Sequence, residues 1–249
     1  MNRMLEIVGR RLGGYLTGEA QAHSASPPSD LRRLGNALRP ADVLLVEGNS
    51  RISTAIKYLT QSTWSHAALC VGEAMQLRDK GGQSLEFIEA DVLEGVRAVS
   101  IRAFAGFHCR ICRPINLSPD DTAGLMKFAR NHIGHRYDLK NFIDLARYVF
   151  PTPPVPTRWR RRMIALGSGD PTKAICSTFI AQAFQSIRYP VLPDVTTISV
   201  ATDDCVAQIL RVRHHSLYVP RDFDVSPYFA VVKPSLDAGF DYRAVTWAE

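Results

Sequence analysis

The chain has 249 residues, of which 46% are hydrophobic and 22% are charged. This balance is typical of a folded globular protein and excludes an intrinsically disordered chain. The formal net charge of +6 is compatible with a polyanionic neighbour such as a phospholipid surface. The excess is too small to indicate the function, because net charge bears on solubility and association rather than on fold.

The N-terminal residues and the cysteine content bear on the cellular compartment. Residues 1–16 follow an amphipathic helical pattern, and Glu6, Arg10 and Arg11 interrupt the apolar run, so no signal-peptide core is predicted. Five cysteines are an odd set without the density of a secreted disulfide scaffold, which favours a reducing compartment. No stretch is long enough to span a membrane. We therefore expect a cytoplasmic protein whose first helix either packs on its own domain or contacts the inner membrane surface.

The first 40 residues, an amphipathic helix and a linker, are predicted to precede one domain over residues 41–249. Short apolar segments bounded by Gly, Pro or polar residues predict strands in this domain: DVLLVEG, SHAALCVG, LEFIEA, GVRAVSI and FHCRICRP. Between the first two strands, RISTAIKYLT predicts a helix. A further helix is predicted for LMKFARNHI, because Ser118, Pro119 and two acidic residues precede it and Gly134 marks its end.

The second half of the domain contains a Pro- and Arg-rich insert at about 151–169, after a predicted helix LKNFIDLARYVF that must end at Pro151. The insert includes a basic and aromatic cluster: Arg158, Trp159, Arg160, Arg161 and Arg162. This cluster is either a solvated surface loop or a contact with lipid headgroups or another polyanion. After it, TKAICSTFIAQAFQSI predicts an amphipathic helix, followed by a shorter helix DDCVAQILRV and strand-like SLYV and FAVVKP. The pattern indicates an α+β domain.

Cys176 is a candidate nucleophile because it lies in the first or second turn of a predicted helix. The unsatisfied N–H groups and the macrodipole at a helix N-terminus favour the thiolate form of a cysteine. The same N–H groups, including that of Cys176, could stabilise the oxyanion that forms when a thiolate attacks a carbonyl. The alternative is that Cys176 only packs in the core, since free cysteines are among the most buried residues.

His66 is the candidate base. If SHAALCV and LEFIEA form a hairpin whose loop is centred on residues 77 and 78, Glu89 lies directly opposite His66. A carboxylate in that position would fix the tautomer of the imidazole and stabilise its charged form. Glu86 or Asp91 could replace Glu89 if the register slips. The alternative for His66 is a hydrogen-bonded structural residue at the start of a strand.

The order of these residues, strand histidine, strand carboxylate and then helix cysteine, resembles the circularly permuted papain-like hydrolases related to the NlpC peptidases. The YiiX-like branch is the most similar, and lecithin retinol acyltransferase is more distant. The resembling segments are ADVLLVEG, TWSHAALCVG, FIEADVLEGV, GHRYD and AICSTFIAQAF. The insert before Cys176 is longer than in the simplest members, and the first 40 residues precede the resemblance.

The resemblance implies a permuted papain-like α+β fold, with an antiparallel sheet packed against helices that include the nucleophile helix. It implies Cys176 as nucleophile, His66 as general base and Glu89 as the third member, with no cofactor. Tyr137 would lie near the site and assist the oxyanion or simply pack under the helix. Ser65 and Ser177 are further supporting candidates.

We therefore expect a thiol hydrolase or acyltransferase that acts on an amide or ester through an acyl-enzyme. Lipid substrates fit the basic insert, whereas a peptidoglycan-fragment endopeptidase or amidase fits the wider superfamily. A catalytically silent module that binds lipid or protein is the non-enzymatic alternative. No nucleic-acid partner is expected. No metal site is expected either, because the pair Cys109 and Cys112 alternates like a strand and lacks a second ligand pair.

Overall fold

The computed structural model describes Gly18 and residues 26–91, 94–135, 175–199 and 206–234. Its helices are α1 (Leu31–Ala37), α2 (Arg51–Thr60), α3 (Pro119–His132), α4 (Ile175–Ser186) and α5 (Pro220–Val225). Its strands are β1 (Val43–Glu47), β2 (His66–Cys70), β3 (Phe87–Asp91), β4 (Gly95–Val99), β5 (His108–Pro114), β6 (Asp194–Ser199), β7 (Val206–Arg211) and β8 (Phe229–Val232). Short 3₁₀ helices lie at Gly72–Met75, Ile101–Phe104 and His215–Leu217. The N-terminal helix, the helix LKNFIDLARYVF and the Pro- and Arg-rich insert fall outside the described residues.

A six-stranded antiparallel sheet organises the fold, with strand order β4-β3-β2-β1-β5-β8. All five strands predicted for the first half of the domain are confirmed, and they occupy the first five positions of this sheet. The strands β6 and β7 form a separate two-stranded sheet. Together with the helices, this confirms a mixed α+β architecture in which an antiparallel sheet packs against helices.

Both faces of the main sheet are buried, which explains the nearly continuous apolar runs in its central strands. One face, carrying residues such as Leu45, Leu69 and Ile88, packs against α3 and α4. The opposite face, carrying Leu44 and Phe87, packs against α1 and the 3₁₀ helix Ile101–Phe104. An antiparallel sheet with one wet face would alternate apolar and polar residues, and β1 instead is buried at all five positions.

The predicted ends of α3 are confirmed. The Ser118 side chain accepts a hydrogen bond from the backbone N–H of Asp121, and Pro119 is the first helical residue. Gly134 has a φ of 86°, a conformation that residues with a Cβ rarely adopt, so it ends the helix at low cost. These local signals define the two ends of α3 without any tertiary contact.

The helix α4 is anchored to the sheet by a fully buried apolar stripe. Phe179, Ile180, Ala183 and Phe184 are each 0% exposed. Burying one large apolar side chain contributes about 1.5–3 kcal/mol, so this stripe fixes the helix firmly against β2 and β3, which it contacts. The helical spacing predicted that this segment is an amphipathic helix, and its buried stripe determines where the first turn of α4 lies.

Two predictions near the C-terminal end are wrong. DDCVAQILRV was predicted to be a helix, but Val206–Arg211 is a strand that pairs antiparallel with Asp194–Ser199. The partner segment DVTTIS is rich in β-branched residues, and pairing along its whole length overrides the helical propensity of Ala207, Gln208 and Leu210. SLYV was predicted to be strand-like, but His215–Leu217 forms a 3₁₀ helix that contacts α4.

Residues 30–40, assigned from the sequence to the N-terminal segment, contain the helix α1, which the sequence analysis did not predict. Its Leu34 is 1% exposed and belongs to the core on the second face of the sheet. Arg113 of β5 fixes the end of α1 by donating to the carbonyl of Ala37 at 2.6 Å. The same guanidinium binds both carboxylate oxygens of Asp42, at 2.9 and 2.7 Å.

Candidate active site

The imidazole of His66 contacts the carboxylate of Glu89. The Nε2 atom of His66 lies 2.7 Å from the Oε2 atom of Glu89. The His66 side chain is 27% exposed and the Glu89 side chain only 6%. A buried carboxylate at this distance from one ring nitrogen orients the ring and favours its protonated form.

The predicted register that brought these two residues together is wrong by two positions. The structure pairs Leu69 with Ile88 and Cys70 with Phe87. Extended along the two strands, this register puts Glu89 opposite Ala68 and not opposite His66. The connection from β2 to β3 is not a simple hairpin loop, because a 3₁₀ helix at Gly72–Met75 takes up residues on one side of it. A two-residue shift keeps every side chain on its face, and diagonal neighbours about 7–8 Å apart remain within reach of long side chains.

The other two carboxylates considered for this role have different partners. Glu86 accepts a hydrogen bond from the backbone N–H of Ile101 at 2.9 Å. Asp91 lies 3.6 Å from the guanidinium of Arg97 and accepts from the backbone N–H of Glu94. Glu89 is therefore the carboxylate that the structure places on the His66 ring.

Arg97, which the sequence analysis missed, holds the second oxygen of Glu89. Its Nε and Nη2 atoms both donate to Oε1 of Glu89, at 3.0 and 2.8 Å. Glu89 and Arg97 are directly paired across β3 and β4. A close pairing of the segments FIEAD and GVRAV would have revealed this contact from the sequence, because only three residues separate the two strands.

Cys176 is the second residue of α4, in the turn whose backbone N–H groups have no partner within the helix. It is 5% exposed. Its sulfur is close enough to the His66 ring to act on it both as a charge and as a hydrogen-bond partner. Since Glu89 occupies Nε2, the Nδ1 atom is the ring nitrogen left for the thiol. The helix therefore brings a cysteine and the sheet brings a histidine to the same place.

The charges of these groups support one another. Burial alone would lower the pKa of His66, but the adjacent Cys176 sulfur and the Glu89 carboxylate outweigh it and raise this pKa well above its usual value. Burial alone would raise the pKa of Glu89, but the His66 and Arg97 contacts lower it to about 2. The Glu89 carboxylate is therefore ionised at neutral pH, and together with the Cys176 sulfur it favours the protonated form of the His66 ring.

The supporting residues predicted near the oxyanion have other contacts or lie outside the described part of the chain. The hydroxyl of Ser177 donates to the carbonyl of Tyr218 at 2.7 Å. The Ser65 hydroxyl accepts from the backbone N–H of Gly48 at 2.9 Å. Both serines thus tie the ends of α4 and β2 to neighbouring backbone. Tyr137 and the cluster Arg158, Trp159, Arg160, Arg161 and Arg162 lie outside the described residues.

Trp64 fixes the chain just before His66. Its indole Nε1 donates to Asp224 of α5 at 3.0 Å, and the guanidinium of Arg110 lies 4.9 Å from the ring centroid. Arg110 also binds Asp224 through Nη1 at 2.7 Å. This three-residue contact, which was not predicted from the sequence, holds the chain just before β2 against β5 and α5.

The remaining cysteines of the described region differ from Cys176 in their surroundings. Cys109 faces the α1 side of the sheet and Cys112 faces the α4 side, so the two thiols cannot bind one metal ion together. Burial raises the pKa of Cys70, Cys109 and Cys112 to about 12 in each case. Across residues 26–91, 94–135, 175–199 and 206–234, no three His, Cys, Asp or Glu side chains are grouped to hold a metal.

No helix in the described ranges has the length and apolar character needed to cross a membrane.

Comparison with known proteins gives a weak structural similarity and no sequence match. No family model matches the chain, and no curated protein matches it. Among solved structures, the chain is similar to the crystal structure of metalloprotein yiiX from Escherichia coli O157:H7, with 13% sequence identity and a TM-score of 0.44. The similarity covers 78% of this chain and 96% of that chain. At this identity and score, the similarity assigns no role to any residue.

Proposed function

We propose that the chain is a thiol hydrolase or acyltransferase with a permuted papain-like arrangement, in which Cys176 is the nucleophile, His66 the proton carrier and Glu89 the group that orients it. The observation that supports this most strongly is the meeting of three side chains from separate elements, α4, β2 and β3. A core cysteine that only packs has no need of a histidine held by a buried carboxylate.

The reaction would begin with attack of the Cys176 sulfur on the carbonyl carbon of an amide or ester. The oxyanion that forms would accept hydrogen bonds from backbone N–H groups in the first turn of α4. The protonated His66 then gives its proton to the departing amine or alcohol as the carbon–nitrogen or carbon–oxygen bond breaks. This leaves an acyl group joined to Cys176 as a thioester, and His66 neutral.

The second half of the reaction restores the site. Neutral His66 takes a proton from water or from an acceptor alcohol or amine, whose oxygen or nitrogen attacks the thioester carbonyl. The carbon–sulfur bond breaks, the product leaves, and the thiolate and the protonated imidazole are regenerated. Glu89 stabilises the positive ring in both halves without itself taking a proton, since its pKa of about 2 keeps it ionised.

We propose a lipid acyl chain as the substrate class. The support is compositional: the net charge is +6 and the insert carries four arginines and a tryptophan within residues 158–162, a combination suited to anionic headgroups at a membrane surface. A peptidoglycan-fragment peptide is the competing substrate class. The two predict different behaviour toward vesicles, so they can be separated directly.

An acyl-transfer probe tests the chemistry. The wild-type protein and the Cys176→Ala and His66→Ala variants are incubated with a fluorescent activated ester, and the labelled residue is located by peptide mass spectrometry. We expect labelling of Cys176 in the wild type and its loss in both variants. Equal labelling of wild type and Cys176→Ala would refute the assignment of Cys176 as the nucleophile. A folded wild-type protein that is not acylated at all would favour a binding module.

Vesicle cosedimentation tests the substrate class. The protein is mixed with vesicles of phosphatidylglycerol, with neutral phosphatidylcholine vesicles as control, and Arg160, Arg161 and Arg162 are replaced together by Gln. Binding to the anionic vesicles that disappears in the triple variant supports the lipid substrate. Absence of vesicle binding, together with release of amine from cell-wall fragments, would support the peptide substrate instead.

A further inference from the structure

We propose that Arg97 is a positioning residue for the His66 imidazole and that it acts through Glu89. This inference rests on the proposed function, because it deepens the role of the same site. The two oxygens of Glu89 are divided between two partners: Oε1 accepts from Arg97 and Oε2 faces His66. Neither partner competes with the other for an oxygen.

The geometry of the arginine contact restrains the carboxylate. A glutamate carboxylate rotates easily about its last torsion, whose energy wells are broad. Two N–H groups of Arg97 converging on Oε1 stop this rotation, so Oε2 stays directed at Nε2 of His66. Because the Glu89 side chain is only 6% exposed, water has little access to replace a missing donor.

Arg97 is itself held in place from its outer side. Its Nη1 atom donates to Glu94 at 2.7 Å, and its Nη2 atom lies 3.6 Å from Asp91. The Arg97 side chain is 37% exposed, so its replacement leaves no sealed cavity. A loss of function on mutating Arg97 can therefore be separated from a loss of fold.

The charged groups around Glu89 determine how the loss of Arg97 changes the pH dependence of the Cys176 alkylation rate. His66 faces it from β2, Arg97 faces it from β4, and Cys176 of α4 lies on the other side of the imidazole. Asp91 and Glu94 are separated from Glu89 by the guanidinium. Loss of Arg97 leaves the three carboxylates without their shared cation, so Glu89 gains protons at a higher pH.

The test compares Arg97→Met with Arg97→Lys, which keeps the charge but cannot make the two-pronged contact. The matched control is Arg78→Met, because Arg78 lies on the exposed β2–β3 connection and donates to the carbonyl of Gly82. For each protein, the alkylation rate of Cys176 by iodoacetamide is followed against pH. The ring nitrogens of His66 are followed by NMR after ¹⁵N-histidine labelling, and circular dichroism verifies the fold.

We expect Arg97→Met to lower the Cys176 rate about tenfold or more, within the roughly hundredfold that a 1 Å misplacement of a reacting group costs. In the plot of alkylation rate against pH, the fall in rate on the acid side should move to higher pH in this variant; we call this fall the acid limb. The hydrogen-bonded Nε2 signal of His66 should weaken. Arg97→Lys should restore the acid limb but only part of the rate. Arg78→Met should match the wild type in both measurements.

The outcomes separate this inference from the proposed function. A reactive Cys176 whose rate, acid limb and His66 signals are unchanged in Arg97→Met would overturn the positioning role and leave the proposed function intact. An unreactive Cys176 in the wild type, combined with His66 signals that still change in Arg97→Met, would overturn the proposed function and support the positioning role. An Arg97→Met effect that Arg97→Lys does not relieve at all, with an altered circular dichroism spectrum, would show a purely structural arginine.

Discussion

The Nε2 atom of His66 lies 2.7 Å from the Oε2 atom of Glu89, so the carboxylate occupies one nitrogen of the imidazole and leaves the other for Cys176. The Glu89 side chain is almost fully buried while that of His66 is 27% exposed. The pair therefore lies at the border between the core and the solvent. A substrate carbonyl would reach the thiol past the exposed part of the imidazole, because Cys176 itself is 5% exposed.

Removing the thiol should lower the pKa of His66. The Cys176 sulfur is the leading contribution that raises this pKa against the opposing effect of burial. In Cys176→Ala the burial remains while this contribution is lost, so the ring should lose its proton at a lower pH than in the wild type. NMR titration of histidine-labelled protein measures this directly. An unchanged titration would mean that the sulfur and the imidazole do not interact.

Replacing Glu89 by the isosteric glutamine should reduce Cys176 acylation by at least about a hundredfold, because it disables His66, and a positioned proton-transfer group contributes about a hundredfold or more. The amide keeps the shape of the side chain but carries no charge, and it can present its NH₂ group to the ring and favour the wrong tautomer. Rates are measured with the activated ester. Glu73→Gln, which changes an exposed side chain of the 3₁₀ helix Gly72–Met75, is the control and should acylate at the wild-type rate.

Stability should depend on pH through Glu89 and His66, with opposite signs. Glu89 has its pKa lowered from 4.5 to about 2, so its contribution is complete above pH 4.5 and is lost as the pH falls toward 2. His66 has its pKa raised above 6.5, so its contribution is complete below pH 6.5 and is lost as the pH rises through the folded-state value.

Urea unfolding of the wild type and Glu89→Gln at several pH values measures the acid half of this dependence. The difference in unfolding free energy between the two proteins should shrink by about 3 kcal/mol from pH 5 toward pH 2, at 1.36 kcal/mol per pKa unit. A difference that stays constant over this interval would show that Glu89 titrates normally in the folded protein.

Arg113→Met should destabilise the fold without touching the candidate active site. The substitution removes both hydrogen bonds that the guanidinium donates to the carboxylate of Asp42, a residue only 1% exposed. It also removes the hydrogen bond to the carbonyl of Ala37 at the end of α1. Breaking a buried pair by removing one partner costs about 3–5 kcal/mol. Arg33→Met, which removes an exposed pair with Asp30, should leave the stability almost unchanged, because solvent screens exposed ion pairs. Urea unfolding compares the two.

The sequence predicted that His66 and Glu89 are neighbours, but not the strand register that joins them. Face parity in a strand has a period of two, so His66 and Glu89 could be assigned to one side of the sheet from alternation alone. The register of β2 and β3 could not be assigned in this way, because the 3₁₀ helix Gly72–Met75 lengthens one side of the connection between the two strands. Arg97 was missed for a related reason: its contact with Glu89 depends on the pairing of β3 with β4, which was not worked out from the sequence.

Local signals predicted the elements where the chain itself dictates them, and failed where tertiary pairing does. Ser118, Pro119 and Gly134 define α3 by capping and backbone conformation, and the apolar stripe defines α4. By contrast, Val206–Arg211 is a strand because Asp194–Ser199 pairs with it. The helix α1 is short, and its single fully buried residue, Leu34, gives no periodic pattern to recognise.

The alkylation rate of each cysteine by iodoacetamide at about pH 6 tests the central claim most directly. Peptide mass spectrometry follows Cys176 beside Cys70, Cys109 and Cys112, three buried thiols of the same protein whose pKa values near 12 make them internal controls. We predict that Cys176 reacts fastest in the wild type and loses this advantage in His66→Ala. A Cys176 that reacts no faster than the three controls, or equally fast without His66, would contradict the account.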